Sequence, residues 1–237
     1  MTFKNVFSVL IVLALSIHGS KSLAQDWRSF ANVDRYAEAN LKLSKGPAHD
    51  NRVVFMGDSI TEGWGYFDPE FFQGSGYINR GIGGQTTPQM LLRFRSDVTE
   101  LEPKVVVILA GTNDLAGNTG LTDVQTIADN IKSMCEIADH DGIRVIIASV
   151  LPAIDFPWKS GMEPASKIVK LNLMLQLYAQ ENNFIYLDYY SSLVDEEGGL
   201  KVPDYTGAND LVHPNKLGYV VMEKLANQAI QAALAAK

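Results

Sequence analysis

Short apolar runs alternate along this chain with longer stretches in which apolar residues recur every three or four positions. The first pattern predicts buried β-strands and the second predicts amphipathic helices. Near-continuous Val and Ile runs, such as residues 105–109, indicate strands that helices cover on both faces. The predicted strands are Arg52 to Met56, Tyr77 to Asn79, Lys104 to Leu109, Arg144 to Val150 and Phe184 to Leu187. The alternation therefore predicts an α/β fold with a five-stranded, mainly parallel sheet.

Helix signals stand between these strands. The run Thr122-Asp123-Val124-Gln125 reads as a capping box, and Gly142 ends the helix that follows it. Further helices are predicted to begin near Pro88, Pro164 and Asn215. Three long connections remain, at residues 57–76, 152–163 and 189–213. Ligands of open α/β sheets bind where loops leave the carboxyl ends of strands, so we expect the chemistry in these connections.

Residues 1–24 follow a different pattern from the rest of the chain. Lys4 precedes an apolar run from Val6 to Ile17, and Ser22-Leu23-Ala24 comes before Gln25. Such a run is too short to span a bilayer, and small residues three and one before Gln25 suit signal peptidase. We expect a signal peptide over residues 1–24, a single domain over residues 25–237, and an exported protein that is periplasmic or secreted. A membrane anchor or an N-terminal helix is the alternative.

Composition narrows the range of partners. The chain has 237 residues, of which 46% are apolar, and its net charge is −7. Losing Lys4 and Lys21 with the signal peptide takes the charge to −9, and such a surface repels phosphate backbones and anionic lipid. We therefore expect no nucleic acid or membrane partner. Cys135 is the only cysteine, so no intrachain disulfide is possible, and its helical apolar neighbours predict a buried structural thiol.

The first candidate for chemistry is the run Gly57-Asp58-Ser59-Ile60-Thr61, which follows the first strand. It puts a hydroxyl at a strand-to-helix turn, where exposed backbone N–H groups can stabilise an anion. Ser59 is therefore a candidate nucleophile. The alternative is that Ser59 is only a helix N-cap.

A serine nucleophile needs a base, usually a histidine that a carboxylate orients. Beyond the predicted signal peptide the histidines are His49, His140 and His213. His49 lies before the first strand and His140 lies at a helix end, far from the predicted loops. His213 ends a long loop and follows Asp210 by three residues, so one turn can aim both side chains at a common site. Alone, this pair could equally be a capping interaction.

Two glycine-rich loops could supply oxyanion donors. Gly81-Ile82-Gly83-Gly84 follows the second strand, and Gly111-Thr112-Asn113-Asp114 follows the third. Glycine lets a backbone N–H approach a ligand closely, and Asn113 adds a side-chain amide. Tight turns are the alternative at both places.

Taken in the order of the chain, Gly57-Asp58-Ser59, the Gly84 loop, Gly111-Thr112-Asn113-Asp114 and Asp210-x-x-His213-Pro214 resemble four blocks of the SGNH or GDSL hydrolases. The resemblance extends from about Arg52 to the last helix and implies a flavodoxin-like three-layer α/β/α sandwich. It implies that Ser59 is the nucleophile, that His213 is the base and that Asp210 orients His213. The implied oxyanion hole consists of the Ser59 N–H, the Gly84 N–H and the Asn113 side chain. Gly83 remains an alternative to Gly84, which precedes Gln85 where relatives commonly have Asp.

Other chemistries lack their motifs. No Gly-x-Gly-x-x-Gly follows a strand, and there is no Walker sequence, His-x-His or His-Glu-x-x-His. No cofactor and no metal are therefore expected. The Gly-x-Ser-x-Gly elbow of the α/β-hydrolases is absent because position 61 is Thr. Asp58 and Asp114 are expected to be structural, and no carboxylate pair for glycoside hydrolysis stands out.

Aromatic residues in two of the long connections bear on the substrate. Trp64 and Trp158 are the candidate substrate contacts, although either could instead cover the edge of the core. The resemblance implies acyl-ester hydrolysis, and exported members of the family include polysaccharide acetylesterases. We therefore predict an esterase for short acyl esters, acetyl above all, with a small molecule or a glycan as substrate. The alternatives are a lysophospholipase or thioesterase of the same family, and a non-catalytic carbohydrate-binding protein on the same fold.

Overall fold

A computed structural model of the protein describes residues 26–45 and 51–236. Its strands form one sheet in the order β2-β1-β3-β4-β5, and every neighbouring pair is parallel. The strands are β1 (Val53–Gly57), β2 (Tyr77–Gly81), β3 (Val105–Leu109), β4 (Arg144–Ala148) and β5 (Ile185–Leu187). This strand order is that of flavodoxin-like sheets, so the predicted fold class is confirmed.

Helices cover both faces of the sheet. In the described part of the chain they are α1 (Trp27–Ala31), α2 (Ala37–Lys45), α3 (Ser59–Phe67), α4 (Pro69–Phe72), α5 (Thr87–Asp97), α6 (Thr112–Leu115), α7 (Val124–His140), α8 (Ala165–Glu181), α9 (Tyr190–Leu193) and α10 (Lys216–Ala235). Helices α5, α7 and α8 pack on one face, and α3, α4, α9 and α10 pack on the other.

The two faces of β1 show how the core is divided. Val54 and Met56 point into the cluster with α5, α7 and α8, whereas Val53 and Phe55 point into the cluster with α3 and α10. All four side chains are at most 2% exposed, because successive side chains of a strand point to opposite faces and both faces are covered. The strand is therefore apolar throughout, as the sequence pattern indicated.

Three local features differ from the sequence-based expectation. The connection 57–76 is not an open loop, because it contains α3 and α4. Asp123, rather than Thr122, caps α7, since its side chain accepts the Thr126 N–H at 2.7 Å. The capping box instead begins α5, where Thr86 and Gln89 exchange the two capping bonds.

Cys135 is fully buried on α7, and burial raises the pKa of its thiol, as suits the structural role predicted for it. Within residues 26–45 and 51–236, no helix has the length and apolar content needed to cross a bilayer. The predicted signal peptide and His49 lie outside the described residues.

Candidate active site

The carboxyl ends of the parallel strands lie at one edge of the sheet, and the candidate residues follow these ends. Gly57 on β1 is in register with Gly81 on β2 and with Leu109 on β3, so three strands end level with one another. The segments that carry Ser59 and Asn113 leave β1 and β3 at this level. The sheet therefore brings loops that are distant in sequence to one place.

Ser59 is the first residue of α3, directly after the turn that leaves β1. Asp58 caps this helix, because its Oδ1 accepts the Ile60 N–H at 2.9 Å. A Cβ at Gly57 would lie 2.1 Å from the Thr61 Oγ1, so only glycine allows the first turn of α3 to approach the strand end this closely. The hydroxyl of Ser59 is thus held at a helix N-terminus on a rigid element.

Ser59, His213 and Asp210 form a continuous hydrogen-bonded relay. The Ser59 Oγ lies 2.9 Å from the His213 Nε2, and the His213 Nδ1 lies 2.8 Å from the Asp210 Oδ1. The same Oδ1 accepts the backbone N–H groups of Val212 at 3.2 Å and of His213 at 2.9 Å. The Thr206 hydroxyl donates to the His213 carbonyl at 2.8 Å. The imidazole is therefore fixed from both its ring and its backbone.

Two backbone N–H groups beside the relay are free to bind an anion. Neither the Ser59 N–H nor the Gly84 N–H has an acceptor among the hydrogen bonds of the described residues. Gly84 has a φ of +76°, a conformation that glycine adopts without strain. The Gly83 N–H instead donates to the Glu62 Oε2 at 2.8 Å. This difference favours Gly84 over Gly83 as an oxyanion donor.

Asn113 is buried at the same edge, but its amide is engaged. Its Nδ2 donates to the Asp58 Oδ2 and to the Gln85 carbonyl, each at 3.2 Å, and its Oδ1 accepts from the Asn118 Nδ2 at 2.8 Å. Both bonds that the Nδ2 donates are at the long end of the usual range. A substrate oxygen would have to share or replace one of them, so the donor role of Asn113 stays a prediction.

Asp58 and Asp114 are buried carboxyl groups that hold the loops together. Burial raises the pKa of Asp58 to about 6, although the Ile60 N–H and the nearby His213 act in the opposite direction. Asp114 accepts the backbone N–H and the hydroxyl of Thr87, and burial likewise raises its pKa to about 6. Their oxygens are used within the protein, which is the structural role that the sequence suggested.

The two candidate tryptophans have different environments. Trp64 is only 2% exposed and stacks on Phe71 with 4.5 Å between ring centroids. The expectation that Trp64 contacts substrate is therefore wrong, because the helical spacing of α3 turns its ring into the core. Trp158 is 46% exposed, and its ring centroid lies 6.2 Å from that of His213. Trp158 is thus placed to contact a molecule bound at the relay.

Sequence reasoning missed a polar network beneath the Gly84 loop. The Gln85 Oε1 accepts from the Arg93 Nε at 2.6 Å, and the Gln85 Nε2 donates to the Ala31 carbonyl at 2.7 Å. The fully buried Arg93 pairs with Asp97 at 2.9 Å. The one available signal was Gln85 itself, which differs from the residue common in relatives. Asn118, between Asn113 and Trp158, gave no signal in the sequence.

Within residues 26–45 and 51–236, no group of three or more His, Cys, Asp or Glu side chains is arranged to hold a metal ion. His140 ends α7 on the surface, at the edge of the sheet opposite the relay. The structure therefore brings together Ser59, Gly84, Asn113, Asp210 and His213. Of the two candidate tryptophans, it places Trp158 beside them and buries Trp64 in the core.

A parallel α/β sandwich with a Ser-His-Asp relay at the carboxyl edge of its sheet defines a class of serine hydrolases that transfer acyl groups. The chain belongs to the GDSL-like lipase/acylhydrolase family, whose family model matches residues 55–221. It is an ester-hydrolysing enzyme of that family.

Solved structures agree with this assignment. An acylhydrolase from Bacteroides fragilis is 48% identical, with a TM-score of 0.83, and the match covers 89% of this chain and 99% of that one. A variant of an acetylxylan esterase from Geobacillus stearothermophilus has a TM-score of 0.63 over 78% of this chain and 95% of its own. At 18% identity, the second likeness shows the fold alone.

Two relatives add to the comparison. The lipoprotein YqeF of Bacillus subtilis is 37% identical over 120 residues, which are 44% of this chain and 49% of that protein, so the chain matches about half of its length. The alpha2 subunit of platelet-activating factor acetylhydrolase IB from Rattus norvegicus is 26% identical over 185 residues, 75% of each chain.

Proposed function

We propose that this chain is an exported serine esterase that hydrolyses short-chain acyl esters, acetyl esters above all. The observation that carries the proposal is the unbroken relay from the Ser59 hydroxyl through the imidazole to the Asp210 carboxylate. A serine hydroxyl 2.9 Å from an imidazole nitrogen can lose its proton as it attacks. Neither a binding protein nor a scaffold needs this arrangement.

The reaction proceeds through an acyl-enzyme. The Ser59 Oγ attacks the ester carbonyl while its proton passes to the His213 Nε2, and Asp210 stabilises the imidazolium. The N–H groups of Ser59 and Gly84, with the Asn113 amide, bind the oxyanion. His213 then gives the proton to the leaving alcohol. A water attacks the acyl-enzyme with His213 as base, which releases the acid and restores the Ser59 hydroxyl.

The preference for a short acyl group is supported by three features. The rat relative is named an acetylhydrolase, and its match extends over 75% of this chain. Trp158 stands beside His213, so an aromatic face borders the relay. The net charge of −7 disfavours anionic lipid surfaces. An aromatic face also suits a sugar ring, so an acetylated glycan is our preferred substrate class.

Export is part of the proposal for two reasons. Residues 1–24 have the charge, apolar run and small residues of a signal peptide. The relative from Bacillus subtilis is named a lipoprotein. N-terminal sequencing of the protein recovered from outside the cytoplasm tests this point, and we expect the chain to begin at Gln25.

Covalent labelling with a fluorophosphonate tests the nucleophile. We expect stoichiometric labelling of the wild-type chain and none of Ser59→Ala, while Ser192→Ala, a serine on α9, serves as the matched control. Wild-type protein that neither labels nor hydrolyses any ester would instead support the non-catalytic carbohydrate-binding alternative.

The preferred length of the acyl chain separates the two enzymatic alternatives. On p-nitrophenyl esters from acetate to dodecanoate we expect kcat/KM to fall steadily with length, and we expect release of acetate from acetylated xylooligosaccharides. A preference for octanoate or longer chains would favour the lysophospholipase or thioesterase alternative.

A further inference from the structure

Asn118 joins three parts of the candidate site through one exposed side chain. Its Nδ2 donates to the Gly84 carbonyl at 3.2 Å and to the Asn113 Oδ1 at 2.8 Å. Its Oδ1 accepts the indole N–H of Trp158 at 3.2 Å. An exposed asparagine is usually solvated, whereas this one links the Gly84 loop, the buried Asn113 and the ring beside His213.

The chemistry of the partners fixes which way the Asn118 amide faces. A carbonyl oxygen such as that of Gly84 can only accept, and the indole N–H of Trp158 can only donate. The Nδ2 of Asn118 must therefore face Gly84, and its Oδ1 must face Trp158. No other orientation of the amide satisfies both partners.

The Asn113 amide is oriented from both ends in the same way, since the Gln85 carbonyl can also only accept. Because the Asn118 Nδ2 also points at Asn113, the oxygen of the Asn113 amide must face Asn118. The Asn113 Nδ2 then faces the opposite way, toward the carboxylate of Asp58 and the Gln85 carbonyl. Among the residues that the structure describes, Asp58 is the one other side chain bonded to the Asn113 amide.

We propose that Asn118 is a positioning residue for ester hydrolysis, which holds the Asn113 amide and the Gly84 loop in the geometry that binds the oxyanion. The inference rests on the proposed function, since it concerns the oxyanion of that reaction. The bond to Trp158 also links this geometry to the exposed ring beside His213. A substrate that packs on the Trp158 ring therefore stabilises the donors that its own oxyanion needs.

The expected loss of kcat in Asn118 variants follows from the oxyanion donor that Asn118 positions. Removing one oxyanion donor lowers kcat by about 10²- to 10³-fold, and Asn118→Ala releases such a donor without removing it. We expect a loss of roughly 10- to 100-fold in kcat. Asn118→Asp keeps the acceptor for Trp158 but places its second carboxylate oxygen against two other acceptors, the Gly84 carbonyl and the Asn113 Oδ1. It should therefore lose more activity than Asn118→Ala.

The test measures kcat and KM on p-nitrophenyl acetate for Asn118→Ala, Asn118→Asp, Asn113→Ala and the Asn113→Ala/Asn118→Ala double variant. Asn182→Ala is the matched control, because Asn182 is also exposed and donates one bond, to the Tyr178 carbonyl, at the opposite edge of the sheet. We expect kcat to fall in the Asn118 variants with little change in KM, and we expect melting temperatures near that of the control.

The double variant separates positioning from general stabilisation. If Asn118 acts through Asn113, Asn118→Ala lowers kcat little further when residue 113 is already alanine. The losses of kcat in the two single variants are then not additive. Fully additive losses, or an Asn118→Ala enzyme as active as Asn182→Ala, would overturn the inference. Fluorophosphonate labelling of the wild-type chain shows separately whether the proposed function holds. A wild-type chain that neither labels nor turns over ester would overturn both.

Discussion

The Asp210→Asn substitution gives a sharp test of how the relay is built. The Asp210 Oδ1 accepts three N–H groups, of which two belong to the backbone of Val212 and His213. Backbone N–H groups can only donate, so the amide oxygen of an introduced asparagine must occupy this position. The His213 Nδ1–H keeps its acceptor, and the Nε2 keeps facing Ser59. We therefore expect the working tautomer to survive the substitution.

The predicted loss of kcat in Asp210→Asn then arises only from the missing negative charge opposite the imidazolium. Two unit charges at about 4 Å interact by roughly 1 kcal/mol in water and by roughly 4 kcal/mol at an effective dielectric constant of 20. The side chains of His213 and Asp210 are 32% and 44% exposed, which places the site between these limits. We expect a loss of about 1.5 to 3 kcal/mol, or roughly 10- to 150-fold in kcat.

Asp210→Ala should cost far more, because it removes the acceptor for all three N–H groups. Loss of tautomer control costs about 10⁴-fold in related triads. The assay is kcat on p-nitrophenyl acetate at neutral pH, with Asp204→Asn as a control that makes the same charge change at an exposed position of the same loop. Equal losses in Asp210→Asn and Asp210→Ala would refute the argument that the backbone orients the amide.

Two further predictions concern the surroundings of the relay. Trp64→Ala should lower the free energy of unfolding by about 3 to 5 kcal/mol in urea titrations, because a buried stacked ring is lost. Trp64→Phe should cost much less and leave KM unchanged, since the Trp64 Nε1 has no partner to lose; a raised KM would restore Trp64 as a substrate contact. Burial raises the pKa of Asp58 to about 6 from 3.8, so the folded state holds this proton more tightly than the unfolded state. The contribution of Asp58 to the free energy of unfolding is therefore greatest below about pH 4. It declines as the pH rises to about 6 and stays constant above that pH. Asp58→Asn should abolish this decline, which amounts to about 3 kcal/mol, in urea titrations across this range. Asp188→Asn, which changes an exposed side chain that accepts the Ser191 N–H, should leave the decline in place. An unchanged pH profile in Asp58→Asn would contradict the assignment.

Local patterns were sufficient to predict most of the scaffold. Each of the five predicted strands lies within two residues of its observed bounds. The pattern was clearest for β1 and β3, which are buried on both faces and therefore apolar along their whole length. The sequence indicated a strand-to-helix turn at Ser59, but it did not predict that the helix continues to Phe67. Its run holds two glycines, Gly63 and Gly65, which favour a loop in any local reading. Packing of Trp64 and Ile60 into the core outweighs that preference.

The candidate site also combines features that the sequence indicated with features that it could not show. Residue types and spacing made Ser59, Asp210, His213 and the two glycine-rich loops candidates. Their individual roles, and the choice of Gly84 and Asn113 as donors, were implied by a resemblance. The sequence could not show that the Gly83 N–H is taken by Glu62 while the Gly84 N–H is free. That difference depends on a carboxylate that α3 brings to the loop after β2.

The sequence by itself determined the parallel sheet, the edge at which loops meet and the residue types able to cleave an ester. The tertiary structure alone decided that Trp64 is core, that Trp158 borders the relay and that Asn118 bonds to Trp158, Asn113 and the Gly84 carbonyl. The physical reason is that hydrophobic periodicity is a property of neighbours along the chain. The partner of a polar group is a property of neighbours in space, and those neighbours meet only when the sheet aligns its strand ends.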